Sequence, residues 1–398
     1  MSHRTCRHAR PGPTASLALA GALLAQATVH AQGVTFTGIG FLSEESPWSS
    51  AYGVSSGGSV VVGTSDDAGG PFSPTQAVYW TPETGVVGIG RLWDNGKFSF
   101  AYGASHNGGV IVGGGNSEPG WQAFRWTETA GMVGLGDLPG GDFNSEARAV
   151  SGDGSVVVGR SRSGAAGDGL FEAFRWTEET GMVGLGFLQG GQFKSSSAAG
   201  ISADGKVIVG GSSSAGGGRA YRWTEETGMV SLGTPPGGSG SGARGVSPNG
   251  EFVIGISGID GFTRAFTWSE DAGMAFLPNI TGEYIVLSSY ADGVADDGTV
   301  VGMTNVVDEN YHAAIYATLW RPGEEAITVE ALLLGHGIDV RAMGWQLEFA
   351  TGISADGRTI VGHGYSPNGI YEGWVVRIPA TASLAPLALA ALTMRRRR

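Results

Sequence analysis

Short apolar runs alternate with glycine-rich polar stretches along most of this chain, and the alternation repeats. Tryptophan marks it at Trp80, Trp126, Trp176, Trp223, Trp268, Trp320 and Trp374, at intervals of 46, 50, 47, 45, 52 and 54 residues. A second marker, an apolar pair closed by glycine, ends at Gly63, Gly113, Gly159, Gly210, Gly255, Gly302 and Gly362, in strict alternation with the first. Such a period is the signature of a repeat architecture.

Residues 147–186 show the unit most clearly. Ala147 to Ser151 reads as a short strand, and Gly152-Asp153-Gly154 as a tight turn, because Asp-Gly accepts the positive φ of hairpin turns. Val156-Val157-Val158 is apolar on both faces, as a strand covered on both sides must be. Ala173 to Thr177 forms a third strand with Phe174 and Trp176 on one face, and Met182 to Leu188 a fourth. Four antiparallel strands in 45–50 residues is the grammar of a propeller blade. The turn recurs at Asn107-Gly108, Asp204-Gly205, Asn249-Gly250, Asp297-Gly298 and Asp356-Gly357, where backbone geometry selects the glycine.

The phase of the repeat predicts how the array ends. Val34 to Leu42 aligns with a fourth strand yet precedes any first strand, while the third strand around Trp374 has no fourth after it. A closed ring satisfies both, with the N-terminal strand completing the last blade. An open solenoid would leave mismatched edges and need atypical end caps, which the sequence lacks. The expected fold is therefore all-β, a seven-bladed β-propeller of four-stranded antiparallel blades. The short turns belong on one face, with the acids Glu83, Glu128, Glu178, Glu225 and Glu270. The variable loops, including the insertion Ala331 to Phe349, belong on the other, where a partner is expected.

Composition refines this picture. Glycine is 71 of 398 residues without a three-residue period, so neither collagen nor disorder fits beside the abundant Val, Trp, Phe and Ile. Arg4, Arg7 and Arg10 precede an apolar run from Ala15 to Ala27 and the small-x-small site Val29-His30-Ala31, the order of a secretory leader. Residues 1–31 are thus expected to be a signal peptide, 32–378 the repeat body and 379–398 an apolar, arginine-ended tail. Seven of the 24 basic residues lie in those two ends and none of the 36 acidic ones do, which leaves 17 against 36, a formal charge of −19 on the body. Such a body repels nucleic acid and anionic lipid. Cys6 lies in the leader, so stability is expected from packing and sheet hydrogen bonds alone.

Two resemblances follow from these residues. The units Ser-x-Asp-Gly-x-Val-Val-Val-Gly and Ala-Phe-Arg-Trp-Thr-Glu-Glu-Thr-Gly-Met-Val-Gly-Leu-Gly resemble HAF repeats of bacterial extracellular proteins, over about residues 34–378. That resemblance implies export and a repeat fold and no particular activity. The tail, Pro379 followed by Leu384 to Met394 and Arg395 to Arg398, is similar to a degenerate PEP-CTERM sorting signal. It implies a transient membrane stage before cleavage.

No catalytic constellation is legible. His106, His312, His336 and His363 share no metal-ligand spacing. Gly38-x-Gly40 and Gly134-x-Gly136 are fragments of fourth strands, not dinucleotide loops. Asp66-Asp67 and Glu324-Glu325 lack the alternating oxygens of a calcium loop and read as solvated charge. No cofactor or metal is expected. Trp48, Trp93, Trp121 and Trp345 fall outside the repeat marker, in segments assigned to the variable face. They are the candidate ligand contacts, although Trp48 and Trp345 precede first strands and could equally plug the gap between blades. The expected protein is a monomeric, secreted or cell-surface binding and scaffolding module for a glycan or surface protein. A propeller-type glycan hydrolase or lyase is the competing reading, and it would need converging carboxylates or a histidine at the channel mouth.

Overall fold

The computed structural model describes residues 28–31, 33–67, 74–167, 169–282 and 284–380. The expected unit is there: Ser145–Val150, Val157–Arg162, Phe171–Thr177 and Gly181–Gly184 pair in order, all antiparallel. The fourth strand stops at Gly184, where a Cβ would collide with the Glu172 carboxylate packed against it. The same four-strand pattern recurs along the chain, and the described residues add one helix, Val329–Gly335, in the insertion. A single parallel pairing, Thr263↔Ser288, joins the sheet of residues 241–276 to that of residues 284–328.

Register separates the repeat aromatics into two kinds. The six tryptophans from Trp80 to Trp320 pair with the first apolar residue of the second strand, as Val157↔Trp176 and Val300↔Trp320 do. Trp374 instead pairs with Gly362, the position that Phe124, Phe174, Tyr221 and Phe266 occupy in their own units. The marker slot of the last unit is Val376, paired with Ile360. The glycine is required first by the paired first strand: a Cβ on Gly362 would strike the Phe349 carbonyl oxygen and one on Gly113 the Phe100 carbonyl oxygen, and at both positions it would also crowd the core ring, Trp374 or Phe124. The seven marker tryptophans therefore do not share one environment. Trp80, Trp320 and Trp374 are buried, whereas Trp126, Trp176, Trp223 and Trp268 are half-buried and the phenyl ring two residues earlier is the core residue.

Two sets of hydrogen bonds stitch neighbouring units. The serine that opens a first strand accepts the N–H of the small residue in the preceding unit's third strand: Ala123 N to Ser145 Oγ at 3.0 Å, Ala173 N to Ser196 Oγ at 2.9 Å, Ala220 N to Ser241 Oγ at 2.9 Å. At the other end, the short turns donate in a chain from His106 N to Gly152 O, Gly152 N to Ala203 O and Ala203 N to Pro248 O, each at 2.8–2.9 Å. Proline has no N–H to pass on, and there Asn249 N donates to the Asp296 carboxylate at 2.8 Å. Asp296 N to Ala355 O, Ala355 N to Ser56 O and Gly57 N to His106 O complete the circuit.

The ends of the array meet through the same devices. Val34–Gly38 pairs antiparallel with Tyr371–Arg377, with Gly38 opposite Trp374, and Ile39 N continues to Gly373 O at 2.9 Å. Ser49 Oγ accepts from Gly373 N at 3.2 Å, so the clip between the last and first units repeats the others. Ile39, Ala51, Val61, Trp80, Val361 and Val375 share one buried cluster across that joint. The fold is an all-β propeller whose sheets close on themselves. Thr28–Ala31 adds an outer strand to Val34–Gly38; these four residues lie within the expected leader, whose first 27 residues are outside the described ones, as is the tail beyond residue 380.

The insertion fills the joint before the last unit. Thr328 caps the helix by accepting from Ala331 N at 3.1 Å. Val329, Leu332 and Leu333 pack with Ile338, Val340, Trp345 and Leu347 against Val34 and Phe36.

Candidate functional site

Each unit's first strand slips register at one shared place. The slip falls between Ala51 and Gly53, Ala101 and Gly103, Ala147 and Ala149, Ala198 and Gly200, Ala243 and Gly245, Ala291 and Gly293, and Ala350 and Gly352. A β-bulge leaves one residue outside the in-and-out alternation and re-aims its side chain. The flanking residues must be small: a Cβ on Gly53 would stand 2.8 Å from the Tyr102 carbonyl of the next unit. The bulged residue itself is free to vary, and it does: Tyr52, Tyr102, Arg148, Ala199, Arg244, Asp292 and Thr351. All of them line one central cavity of about 680 Å³. Most of its lining runs from the bulge to the short turn of each first strand, so the cavity occupies the half of the channel nearer the short turns.

The bulged residues are not equivalent chemically. Tyr52 and Tyr102 lie 5.7 Å apart between ring centroids, and the Arg148 guanidinium sits 4.7 Å over the Tyr102 ring. Arg148 Nη2 donates to the buried Glu146 carboxylate at 2.8 Å, and Arg160 Nε donates to the same oxygen at 3.1 Å. Burial, with Glu146 adding to it, raises the Tyr102 hydroxyl well above its ordinary range. Arg244 Nε donates to Asp292 Oδ1 at 2.7 Å. Burial still lifts the Asp292 carboxyl above the usual range, against the pull of Arg244. Thr351 is occupied with the Ala51 carbonyl across the closing joint, at 2.9 Å.

Away from the short turns, aromatic rings form an unbroken chain over the last, first and second units. Trp48 stacks on Tyr371 at 6.4 Å, Tyr371 meets His363 at 5.4 Å, and His363 meets Tyr52 at 6.1 Å. From Tyr52 the chain continues through Tyr102 and Phe100, 6.3 Å apart, to Trp121 at 5.8 Å from Phe100. His363 Nδ1 lies 3.1 Å from Ala51 O, and a carbonyl only accepts, so Nδ1 carries the proton. Burial lowers its pKa to about 4, so the ring is neutral at pH 7. Glu348 stands two residues before Ala350, where other units carry the clip serine, and the strand bulges there a second time. Burial pushes its carboxyl upward, partly offset by a hydrogen bond with Tyr371.

The four sequence candidates part company here. Trp48 and Trp121 stand at the two ends of the aromatic chain, both half-buried, with Trp121 opening the third strand Trp121–Thr127 and not in a free loop. Trp93 lies in the loop between units, 38% exposed, its carbonyl accepting from Gly96 N. Trp345 is 5% exposed and edge-on to Phe36 at 5.1 Å, in the apolar cluster of the insertion, which is the plugging place that its position before a first strand also allowed. None of the four lines the central cavity. His106 belongs to the chain of turns, bonded to Ser56 Oγ at 2.9 Å. Sequence reasoning missed Tyr52, Tyr102, Arg148, Arg244, Asp292 and Glu348. The signal was present as the one variable position inside Ala-x-Gly, and as a glutamate in a serine slot.

No protein-family model and no curated protein matches this sequence. Solved structures do. An oligogalacturonate lyase from Vibrio parahaemolyticus is similar over 89% of this chain and 97% of its own, at 9% identity and a TM-score of 0.51. TolB from Acinetobacter baumannii shares 17% identity over 61% of this chain at a TM-score of 0.41, and this chain spans 59% of its length. A putative TolB from Agrobacterium tumefaciens shares 14% identity over 81% of this chain and 99% of its own, at 0.43. At 9% identity the likeness to the lyase is one of fold alone, and it supports the propeller.

Proposed function

We propose that this chain is an exported, seven-bladed propeller that binds a glycan or surface protein outside the cell without transforming it. The HAF-like repeats and the two terminal signals support export. The seven bulges and the pairing of Val34–Gly38 with Tyr371–Arg377 support the blade count and its closure. The observation that carries the binding reading is the aromatic chain from Trp48 to Trp121. A scaffold of otherwise small and β-branched residues gathers these rings in one sector, half-buried, with hydroxyls and indole N–H groups at their edges. Sugar rings stack on such surfaces, and proteins anchor on them.

A glycan array on residues 32–378 tests this reading. Trp48→Ala and Trp121→Ala should each weaken the strongest binding by about tenfold or more, as for an anchor residue, with folding checked by near-UV circular dichroism. Binding untouched by both substitutions rejects the aromatic chain as the site. A glycan-acting enzyme remains the second reading, and Glu348 is what favours it, since a carboxyl raised by burial beside Tyr371 is suited to proton donation. Turnover of an array hit that disappears in Glu348→Gln would establish it in place of the first.

A further inference from the structure

We propose that the central channel holds the oxyanion of an acidic saccharide between Arg148 and Arg244, in the gap left by Ala199. The inference rests on the glycan reading and names the class of glycan.

Three consecutive units carry the argument. Arg148, Ala199 and Arg244 are the bulged residues of successive first strands, and those strands touch in that order. Both guanidiniums line the cavity, with 37% and 45% of their side chains exposed. Ala199 between them has the smallest side chain among the bulged residues, and there the cavity reaches past the bulge to Ser197. The unit in the middle thus offers space where its neighbours offer charge.

The charge is in excess. Among the described residues Glu146 is the only carboxylate bonded to Arg148 and it is shared with Arg160, so two cations stand on one anion. Arg148 uses Nη2 for that contact, and among the described residues its Nε and Nη1 have no hydrogen-bond partner, so they remain able to donate. Asp292 neutralises Arg244, but a carboxylate of the ligand can share that guanidinium as Arg148 and Arg160 share Glu146. A local positive field inside a body of strongly negative charge is selective: the outer surface repels anions and the channel focuses them. On the neighbouring sector Tyr52 and Tyr102 line the same cavity and supply the aromatic surface that a sugar ring packs on. A free inorganic anion would use the guanidiniums alone.

The test is calorimetry on the full repeat body with three probes: a galacturonate tetramer, the matching galactose tetramer and inorganic phosphate. The galacturonate tetramer should bind, more weakly as ionic strength rises, and at least about tenfold tighter than either other probe. Arg148→Gln and Arg244→Gln should each cost about tenfold. Ala199→Tyr keeps both charges and fills the gap, in a register position where the fold already accepts Tyr52 and Tyr102; it should abolish binding with an unchanged melting temperature. Equal binding of the two tetramers, or galacturonate binding untouched by Ala199→Tyr, overturns the channel site while leaving a saccharide-binding protein. Phosphate matching the galacturonate tetramer overturns the saccharide. A glycan hit on the array with no binding of galacturonate overturns the acidic class alone.

Discussion

The middle units, residues 99–233, and the last unit, residues 346–377 with 34–38, are built on one plan and spend it differently. In the middle units nearly every position repeats: clip serine, turn glycine, core phenyl ring, half-buried tryptophan. Against that constancy the bulge changes its chemistry from unit to unit, carrying Tyr102, Arg148 and Ala199. The last unit departs at almost every one of those points. Its clip serine is replaced by Glu348, its core ring is Trp374, its second strand holds a buried histidine, and its fourth strand arrives from the other end of the chain. Uniform units need only pack against copies of themselves. The closing unit must seal a joint between segments more than three hundred residues apart, and the aromatic chain collects there.

The largest expected effect tests that contrast directly. Trp374→Ala should destabilise by about 3–5 kcal/mol, because a fully buried ring leaves a cavity in the closing joint. Trp176→Ala, half-buried with the core place beside it taken by Phe174, should cost distinctly less. Thermal or urea melts of the two variants decide it, and equal losses would erase the distinction between slots.

His363 supplies the next. Its pKa is depressed to about 4 in the fold against about 6.5 unfolded, so the unfolded chain binds the extra proton first. Stability should be full above pH 6.5 and decline as pH falls toward 4, by on the order of 3 kcal/mol. The raised carboxyls of Glu348 and Glu372 act in the opposite sense as pH falls toward the ordinary carboxylate range, and soften the slope. His363→Gln should flatten the melting temperature between pH 6.5 and 4; an unchanged profile would mean that the ring is not the acid-sensitive group.

Smaller effects compare the joints. Ser49→Ala and Ser145→Ala each remove one buried clip and should cost about 1 kcal/mol, with similar values if the closing joint is made like the others. A much larger loss for Ser49→Ala would show that closure is the weak point of the ring. Trp93→Ala, exposed in its loop, should change stability by less than about 1 kcal/mol. A core-sized loss there would place that ring among the packing residues.

Much of this fold was legible in the chain. Strand, turn and period are local properties: alternation of apolar residues, Asp-Gly at a hairpin, a fourth strand out of phase at the N-terminus. Each can be read from a window of a few residues, and the pairing of Val34–Gly38 with Tyr371–Arg377 follows from counting them. What the tertiary structure alone decided are matters of register and adjacency. Counting tryptophans places Trp374 with the other six, but its partner is Gly362 and its place is that of a phenylalanine, since two residues along a strand return to the same face and periodicity cannot tell those slots apart. Trp345 looks like a loop aromatic until the insertion folds it onto Phe36. The bulge that turns Tyr52, Arg148 and Arg244 into the channel is invisible to an alternating pattern, because it breaks the alternation by one residue whose direction only the paired strand determines. Tyr52 and His363, 311 residues apart, meet because the ring closes.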